Sequence, residues 1–565
     1  MRTIRPTCLT LATAMALLPL AAQAQQAPSG AGSSASSGDR TSRSESGGED
    51  AHRGPYLDVA PYIEAAQVLS FELQPGNDTV TYTQLAAGVD ISTGGRYTQA
   101  AASVRYERII GYDGNADVDT LSGLARMSAG LLHDSVTMEA GALASRTRVE
   151  GNGFTTVGGF GGDASSTSQL YSIYAGPTVQ SRSGPVEISG AYRLGYTRVE
   201  SPDVVVVAPG DTPVDYFDDS LTHQVAARVG VAPNTVAPVG LGVGAGWNRQ
   251  DISNLDQRID DRHVRADVTV PVSPSVALVG GVGYEDVEIS SRDALRDTNG
   301  NPVVGADGRL VTDQSQPRQI AYETDGLIWD AGVIWRPSRR TSLEAHVGRR
   351  YGSTTYYGSL GYTPNARSSL NVSVYDTITG FGGQINEAIN QMGTDFTAFR
   401  NPVTGDLGAC AVGVEGNNCA LARLGSLRSS VFRSRGVAAS YGASSGNTSF
   451  GLGAGYDRRS YIAGENTVLA SVDGLIDQTF YIAGNVGQQL DRDSTLGFGG
   501  SVAWFDGGNT NLGDGIGYSA SLAYNRRIWR GLTGTAAVGL DGLSRDELPD
   551  YSAASALLGL RYTFD

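Results

Sequence analysis

From Tyr56 to its end, the chain repeats one pattern: segments of about ten residues in which apolar and polar side chains alternate. Within Gln99–Glu107, for example, Val104 and Tyr106 fall on one face and Arg105 falls on the other. A period of two belongs to β-strands, whose successive side chains point to opposite faces. Small or turn-forming residues separate the segments, and no long apolar helix is visible. The pattern therefore predicts an all-β, antiparallel chain.

The composition indicates what surrounds these strands. Glycine makes up 75 of the 565 residues, and charged residues make up 18%. The apolar faces are rich in Ala, Gly, Leu and Tyr, whereas the polar faces carry Arg, Glu and Gln at mid-strand. A lipid-facing exterior around a wet interior explains both observations. A soluble sandwich, repeat or propeller is the alternative, but no fixed blade period stands out.

The connections between segments alternate in length. Every second one is short, whereas those between them are variable and often long, as at Gly151–Ser168, Ser201–Ser220, Ser290–Tyr322 and Ile378–Arg428. Short turns on one rim and long loops on the other are typical of outer-membrane barrels. We therefore predict a single large antiparallel transmembrane β-barrel of about 22 strands, within a range of roughly 18 to 22, with short periplasmic turns and long extracellular loops.

The N-terminal segment has the features of a targeting signal. Basic residues precede the apolar stretch Leu9–Ala22, and Ala22-Gln23-Ala24 has the form of a cleavage site. We predict a signal peptide over 1–24, a disordered periplasmic tail over 25–54, and the barrel over 55–565. The tail is almost free of large apolar side chains and cannot offset its own ordering entropy.

Barrels of this strand number are commonly plugged. TonB-dependent transporters use a folded N-terminal plug, and the predicted tail over 25–54 is too short to form one, so we do not expect membership of that class. The lumen is then open, occluded by the long loops near 290–322 and 378–428, or filled by a partner.

Two cysteines, Cys410 and Cys419, lie within the longest of these loops. An even pair in an exported chain predicts a disulfide, which here would clip a single loop. A metal or redox role is the alternative, but no histidine lies nearby to complete a metal site.

The last strand carries a recognisable ending. Gly559, Tyr562 and Phe564 form a Gly-x-x-Tyr-x-Phe pattern that resembles the signal by which the barrel assembly machinery recognises outer-membrane proteins. The pattern departs in two ways, because Phe564 is penultimate and Leu557 occupies a position that is usually polar. The resemblance implies the barrel assembly machinery as a partner.

The whole of 56–565 resembles a Gram-negative outer-membrane β-barrel. More loosely, its overall pattern resembles the beta-barrel porin 2 group, some members of which are encoded near exopolysaccharide export systems. The resemblance implies an integral, multi-pass protein of the cell outer membrane, in contact with membrane lipid and lipopolysaccharide. Periplasmic polysaccharide export proteins would be its further partners.

Charged residues at mid-strand are predicted to face the lumen, because a charge facing lipid would cost about 2–4 kcal/mol near the midplane. They form either a static ion-pair lattice that braces the barrel or the lining of a permeation path, and the two roles are compatible. The predicted lining residues are Arg105, Glu107, Arg126, Glu139, Glu187, Arg193, Arg228, Arg265, Asp267, Glu344 and Arg561.

Enzymatic and cofactor chemistry find little support. The 42 basic residues are all Arg, so Walker and Schiff-base lysines are excluded, and a net charge of −16 argues against nucleic-acid binding. His346 and Glu344 share an inner face and are predicted to line the lumen. His223 and His263 carry no nucleophile pattern. We predict no enzyme, no cofactor and no metal site.

Two acidic segments could gather cations. Asp297–Asn301 begins like a calcium loop, but no glutamate closes it at the twelfth position, so a tight turn is favoured. The acidic loop from Asp203 to Asp219 is interpreted as a solvated loop.

The predicted function is an outer-membrane channel, with export of an extracellular polysaccharide as the first candidate. The alternatives are a general diffusion porin for small solutes, cation-leaning because of the net charge, and a structural or adhesive barrel acting through loop 378–428.

Overall fold

The computed structural model describes most of the chain after the N-terminal 54 residues. No described helix is both long and apolar enough to cross a membrane. The predicted signal peptide and tail, residues 1–24 and 25–54, lie outside the described residues. The described ranges are 55–112, 117–132, 135–149, 155–156, 167–200, 219–306, 308–365, 367–394, 396–413, 421, 427–508, 513–546 and 549–564.

The described residues form 25 strands and one α-helix, apart from short 3-10 turns. The helix, α1, spans Phe381–Asn390. The strands are β1 (Tyr56–Gln74), β2 (Thr79–Gly94), β3 (Thr98–Gly111), β4 (Val118–Leu132), β5 (Val136–Val149), β6 (Thr155–Thr156), β7 (Thr167–Ser183), β8 (Val186–Glu200), β9 (Asp219–Val231), β10 (Gly240–Ile252), β11 (Gln257–Ser273), β12 (Val276–Ser291), β13 (Gln319–Ser338), β14 (Thr341–Arg350), β15 (Ser353–Asn365), β16 (Ser368–Thr379), β17 (Phe396–Arg400), β18 (Leu407–Gly413), β19 (Phe432–Ser445), β20 (Thr448–Tyr461), β21 (Ile476–Gln489), β22 (Ser494–Asp506), β23 (Gly515–Trp529), β24 (Leu532–Arg545) and β25 (Tyr551–Thr563).

The strands close into a barrel. All except β6, β17 and β18 form the wall, which therefore has 22 strands among the described residues. Each wall strand pairs antiparallel with the next along the chain, and β25 pairs with β1 in the register Tyr62↔Thr563. The all-β, antiparallel, 22-stranded barrel predicted from the sequence is confirmed.

The two faces of the wall differ in chemistry as the alternation predicts. On β11, Val264, Val268 and Val270 point outward and are exposed, whereas Arg265 and Asp267 point inward. Apolar side chains can remain exposed on the outside because lipid, not water, surrounds them. The protein is an integral β-barrel of the outer membrane.

The connections fall on two rims. The hairpin turns that follow β2, β4, β7 and β11 have two or three residues, and every second connection stays short up to β24 except the one after β9, which has eight residues. The other rim carries the long loops, although β14 and β15 are joined there by two residues, and β1 begins on the short-turn rim, where β25 also ends. Short turns on one rim and long loops on the other are thus confirmed.

The long loops behave in two ways. The connection between β12 and β13 packs with other loops of the same rim, where Ala294 lies in one cluster with Leu255 of the β10–β11 connection and Leu469 of the β20–β21 connection. The connection between β16 and β19 instead turns into the barrel, and it contains α1, β17 and β18. We call its described inner part, residues 380–413 without 395, the luminal loop.

Candidate functional site: the luminal loop and its anchors

Helix α1 attaches the luminal loop to one sector of the wall. Its apolar side chains recur every fourth residue, so Phe381, Ile385 and Ile389 share one face, and all three are fully buried. This face packs in one apolar cluster with Leu170 and Tyr174 of β7. Burial of a large apolar side chain contributes roughly 1.5–3 kcal/mol. The apolar face is therefore the main reason that the helix lies inside the lumen.

Polar contacts fix the orientation of α1. The Asn386 amide nitrogen donates to Thr222 Oγ1 at 2.9 Å, and its oxygen accepts from Ser172 Oγ at 2.8 Å. The backbone N–H of Gly380, just before the helix, donates to Gln250 Oε1 at 2.9 Å. Strands β7, β9 and β10 thus each contribute a hydrogen bond to this end of the loop.

Arg126 holds the end of α1. Its guanidinium donates to the carbonyl oxygens of Asn390 and Met392, at 3.1 and 3.2 Å, and also to the Tyr174 hydroxyl. The last carbonyls of a helix lack partners within the helix, and a cation there also complements the helix dipole. This predicted lining residue therefore binds the loop rather than bulk water.

The loop then forms a tight turn, Asn401–Asp406, which we call the tip turn. The N–H of Gly405 donates to Asn401 O, and the N–H of Asn401 donates to Asp406 O, both at 2.9 Å. Gly405 has a φ of 72°, and a Cβ there would lie 2.3 Å from Glu107 Oε2. Only glycine suits both the backbone conformation and the close approach to the wall.

Four ionic residues of the wall form the surroundings of the tip turn. Arg146 donates to both carboxylate oxygens of Asp406, at 2.8 and 3.1 Å, and this pair is buried. Arg105 pairs with Glu107 at 2.9 Å and with Glu64 at 2.8 Å. The tip turn therefore lies against a buried network of alternating charges on β1, β3 and β5.

Arg400 reaches from the loop to the same sector of the wall. Its guanidinium donates to Ser122 Oγ at 2.6 Å and to Ser103 Oγ at 3.2 Å. Burial lowers the pKa of Arg400 from its ordinary value, but a guanidinium stays protonated in proteins. Next to it, Gln84 donates to Val403 O at 2.9 Å.

Val403 also explains the unusual residue in the last strand. Leu557 points inward and is buried in one apolar cluster with Val403 and Tyr82. A leucine on the inner face of β25 therefore contacts the luminal loop instead of water. Of the predicted assembly signal, Tyr562 and Phe564 are exposed on the outside, with their rings edge to face, and Gly559 lies between them and Leu557 on β25.

The third attachment lies across the lumen. Phe399 and Cys410 face strands β21 and β22, where Cys410 packs with Tyr481 and Ala483. Cys410 is disulfide-bonded, and its predicted partner Cys419 lies outside the described residues. The loop thus touches the wall at β5–β10, from β24 through β25 to β5, and at β20–β22.

The structure places all eleven predicted lining residues on the inward face. Arg105, Glu107 and Arg126 contact the luminal loop, and Arg193 Nη1 lies 3.9 Å from Glu387 Oε2 of α1. The remaining seven lie on the wall toward the short turns. These are Glu139, Glu187, Arg228, Arg265, Asp267, Glu344 and Arg561.

Four of these seven belong to one network. Arg265 bridges Asp267 and Asp330, at 2.9 and 2.6 Å, and Arg228 also pairs with Asp267. His346 continues the network, with Asp330 and Glu344 each 3.0 Å from its ring nitrogens. Elsewhere on this side, separate ion pairs join Arg561 to Asp90 and Glu187 to Arg182.

The two other histidines considered from the sequence, His223 and His263, contact side chains of the wall. His223 points outward, with its ring stacked near Trp247, and the hydroxyl of Tyr192 lies 3.0 Å from His223 Nδ1. His263 lies 3.0 Å from Arg350 and 3.6 Å from Asp261. No group of ligating side chains within the described ranges is arranged to hold a metal ion.

The calcium-like segment is a tight turn. Asp297 Oδ1 accepts the N–H groups of Asn301 and Asn299, both at 2.8 Å, and these hydrogen bonds lower the pKa of Asp297. The acidic loop from Asp203 to Asp218 lies outside the described residues, and Asp219 begins β9.

Occlusion of the lumen by loop 378–428 was one of the alternatives that the sequence left open, but helix α1 within that loop was not predicted. One signal was present, because Phe381, Ile385 and Ile389 recur every four residues within a long loop. Two glycines at Gly382 and Gly383 weaken that signal, since glycine is a poor helix former.

Comparison with known proteins identifies no family. No family model and no curated protein sequence matches the chain. Among solved structures, the chain is similar to the FrpB iron transporter from Neisseria meningitidis (12% identity, TM-score 0.41, covering 89% of this chain and 81% of that one). It is also similar to the ferric-catecholate import receptor Fiu from E. coli K12 in its open form (11%, 0.42, 91% and 82%). The ferric yersiniabactin uptake receptor FyuA from Yersinia pestis is a third (10%, 0.38, 90% and 80%). At these identities and scores, the similarity carries no information on cargo.

Proposed function

We propose that this protein is a gated outer-membrane channel whose luminal loop is the gate. The observation that carries the proposal is the position of residues 380–413, which cross the lumen and touch three sectors of the wall. The wall around and below the loop carries charged side chains, and such a lining suits a water-filled passage.

Helix α1 and the tip turn are held against the wall by different kinds of contact. This difference indicates which part of the loop can move. Helix α1 buries an apolar face, and removing that face from its cluster would be costly. The tip turn Asn401–Asp406 is held largely by hydrogen bonds and ion pairs. When the tip turn leaves the wall, water reaches both sides of these contacts, so each hydrogen bond exchanges for water at a net cost of about 1 kcal/mol and neither charge of the Arg146–Asp406 pair stays buried alone. We infer that the part of the luminal loop after α1, residues 396–413, moves while α1 stays in place, and we call this part the tip segment.

Export of an extracellular polysaccharide remains a prediction from the sequence resemblance, as does its coupling to periplasmic export proteins. Passive diffusion of small solutes is the alternative within the same class. The adhesive alternative requires loop residues on the outer surface, where a partner would bind. Residues 380–413 lie inside the barrel instead, which does not favour that alternative. We propose no enzymatic activity for this chain.

Single-channel recording tests the gate. We compare the chain from residue 25 with a variant in which residues 396–426 are replaced by a Gly-Ser linker, both refolded into planar bilayers. The variant keeps α1 but loses the tip turn, so we expect larger and steadier current steps than in the unmodified protein.

The matched control replaces residues 294–312 at the loop rim with a similar linker. This variant should conduct like the unmodified protein. Heat-modifiable migration on a gel shows whether each barrel is folded. Equal conductance of the three folded proteins would refute the gate.

A further inference from the structure

We propose that the cleft between the luminal loop and strands β21–β23 is a binding site for an uncharged, hydroxyl-rich solute. The inference deepens the proposed channel function and rests on it, because it names the solute class that the gate admits. The cleft has room of about 30 Å³, opens to the lumen, and lies between Phe399 and Asn401 of the loop and Asn485 and Ser521 of the wall.

The cleft differs from the rest of the described lumen in its lack of charge. None of its described lining residues has a charged side chain, and its one cysteine, Cys410, is disulfide-bonded. Toward the short turns, by contrast, the lumen carries networks such as Arg265 with Asp330. A charged solute entering the cleft would lose hydration without gaining a counter-charge, whereas a neutral polar solute has no such penalty.

A buried polar group in the cleft, the side-chain amide of Asn485, also indicates a ligand. Asn485 is 6% exposed, and its Oδ1 is buried with no hydrogen-bond partner among the described residues. The residues paired with it on the neighbouring strands are Gly451 and Gly499, which have no side chains to offer. A buried amide oxygen without a partner is unfavourable, and the hydroxyl of a bound solute would supply the missing donor.

The remaining lining groups suit the same kind of solute. Ser501 and Ser519 place their hydroxyl oxygens 2.9 Å apart, and hydroxyls can both donate and accept. A Cβ on Gly499 would lie 2.2 Å from the Phe399 ring, so the absence of a side chain there makes room for the aromatic ring. The ring gives an apolar surface on which the C–H groups of a polyol can pack.

The size of the cleft limits the solute. Sites that enclose a whole small molecule occupy roughly 300–1,000 Å³, whereas the room inside this cleft is about 30 Å³, enough for two or three water-sized groups. It can admit a hydroxyl-bearing edge of a solute whose remainder lies in the open lumen. The loop contributes one side of the cleft and the wall the other, so movement of the tip segment would also open or close the site.

Equilibrium binding tests the site separately from conduction. The probes are maltotriose, which is neutral, and trigalacturonate, a charged trimer of similar size, titrated calorimetrically into the detergent-solubilised chain from residue 25. We expect heat from maltotriose and none from trigalacturonate. Asn485→Leu should weaken maltotriose binding about tenfold, as expected for one lost hydrogen bond in a buried site.

The matched control is Asn525→Leu, which changes an inward asparagine on β23 that is not in the cleft and already bonds Thr535 at 2.8 Å. It should bind maltotriose like the unmodified protein. If Asn485→Leu does not fold, Ser521→Leu, which fills the cleft from the neighbouring wall, replaces it.

Equal affinity for both trimers, or unchanged maltotriose affinity in the folded cleft variant, would overturn the site. Conductance recorded on the same preparations separates the two proposals. A conducting protein that does not bind maltotriose leaves the channel standing and overturns the site. A maltotriose-binding protein that stays silent after removal of the tip segment supports the site and overturns the gate.

Discussion

At the scale of single residues, the alternation in the sequence indicates which side chains face the lumen but not what they meet there. Arg126 and Arg265 both lie on inward faces, yet Arg126 binds backbone carbonyls of the loop and Arg265 binds Asp330. A period of two shows which face of a strand a side chain is on. Its contact partners depend on the register between strands and on loops that are distant in sequence. Asp406, for example, is 260 residues from Arg146.

The Arg146–Asp406 pair gives the first residue-scale prediction. Its side chains are 4% and 3% exposed, so removal of either one leaves a buried charge unpaired, at a cost of about 3–5 kcal/mol. Arg146→Ala and Asp406→Ala should therefore each destabilise the folded barrel, while the double variant should lose much less than the sum. The free energy of unfolding in urea, measured in lipid vesicles, gives the coupling through a double-mutant cycle.

The exposed pair Arg182–Glu187 is the control for this cycle. It lies beside a short turn in solvent, where ion pairs contribute about 0–1 kcal/mol, so its coupling should be small. Strictly additive effects of the two buried substitutions would show that Asp406 does not pair with Arg146.

At the scale of elements, the strands were predictable and helix α1 was not. The strands follow directly from alternation, which persists over the whole wall. Helix α1 is a ten-residue element that includes Gly382 and Gly383, and its own propensity is low. It forms because Phe381, Ile385 and Ile389 find an apolar surface on the wall, and that surface does not exist until the barrel closes.

The strand register itself can be tested with neighbouring residues of β11. Val268 points outward and is 41% exposed, and Thr269 points into the lumen. In a cysteine-scanning experiment, Val268→Cys should react with a lipid-soluble thiol reagent, and Thr269→Cys should react with a water-soluble one. A reversed pattern would mean that the two faces of β11, and the lining residues on it, are exchanged.

At the scale of the whole molecule, a wall of 22 strands encloses a lumen wider than its own side chains can fill. The sequence raised an open lumen, occlusion by long loops and filling by a partner as alternatives. In the structure, the chain's own loop, residues 380–413, occupies part of that space. Sequence could not choose among these alternatives, since the apolar face of the loop is also consistent with packing at the rim.

The luminal loop lies inside the barrel, and we propose that it limits passage. A Cβ on Gly539 would lie 3.7 Å from Val403 Cβ, within the range of about 3.5–4.5 Å that a disulfide needs. The most direct measurement is therefore the single-channel conductance of Val403→Cys/Gly539→Cys before and after reduction, with cross-linking followed by mass spectrometry. The unmodified protein under the same reductant controls for reduction of the native disulfide at Cys410.

We predict that the two new cysteines cross-link during folding and hold conductance low, and that reduction raises the conductance to that of the unmodified reduced protein. A folded variant that forms no cross-link, or a cross-linked one that conducts as freely as the tip-deleted protein, would contradict the account.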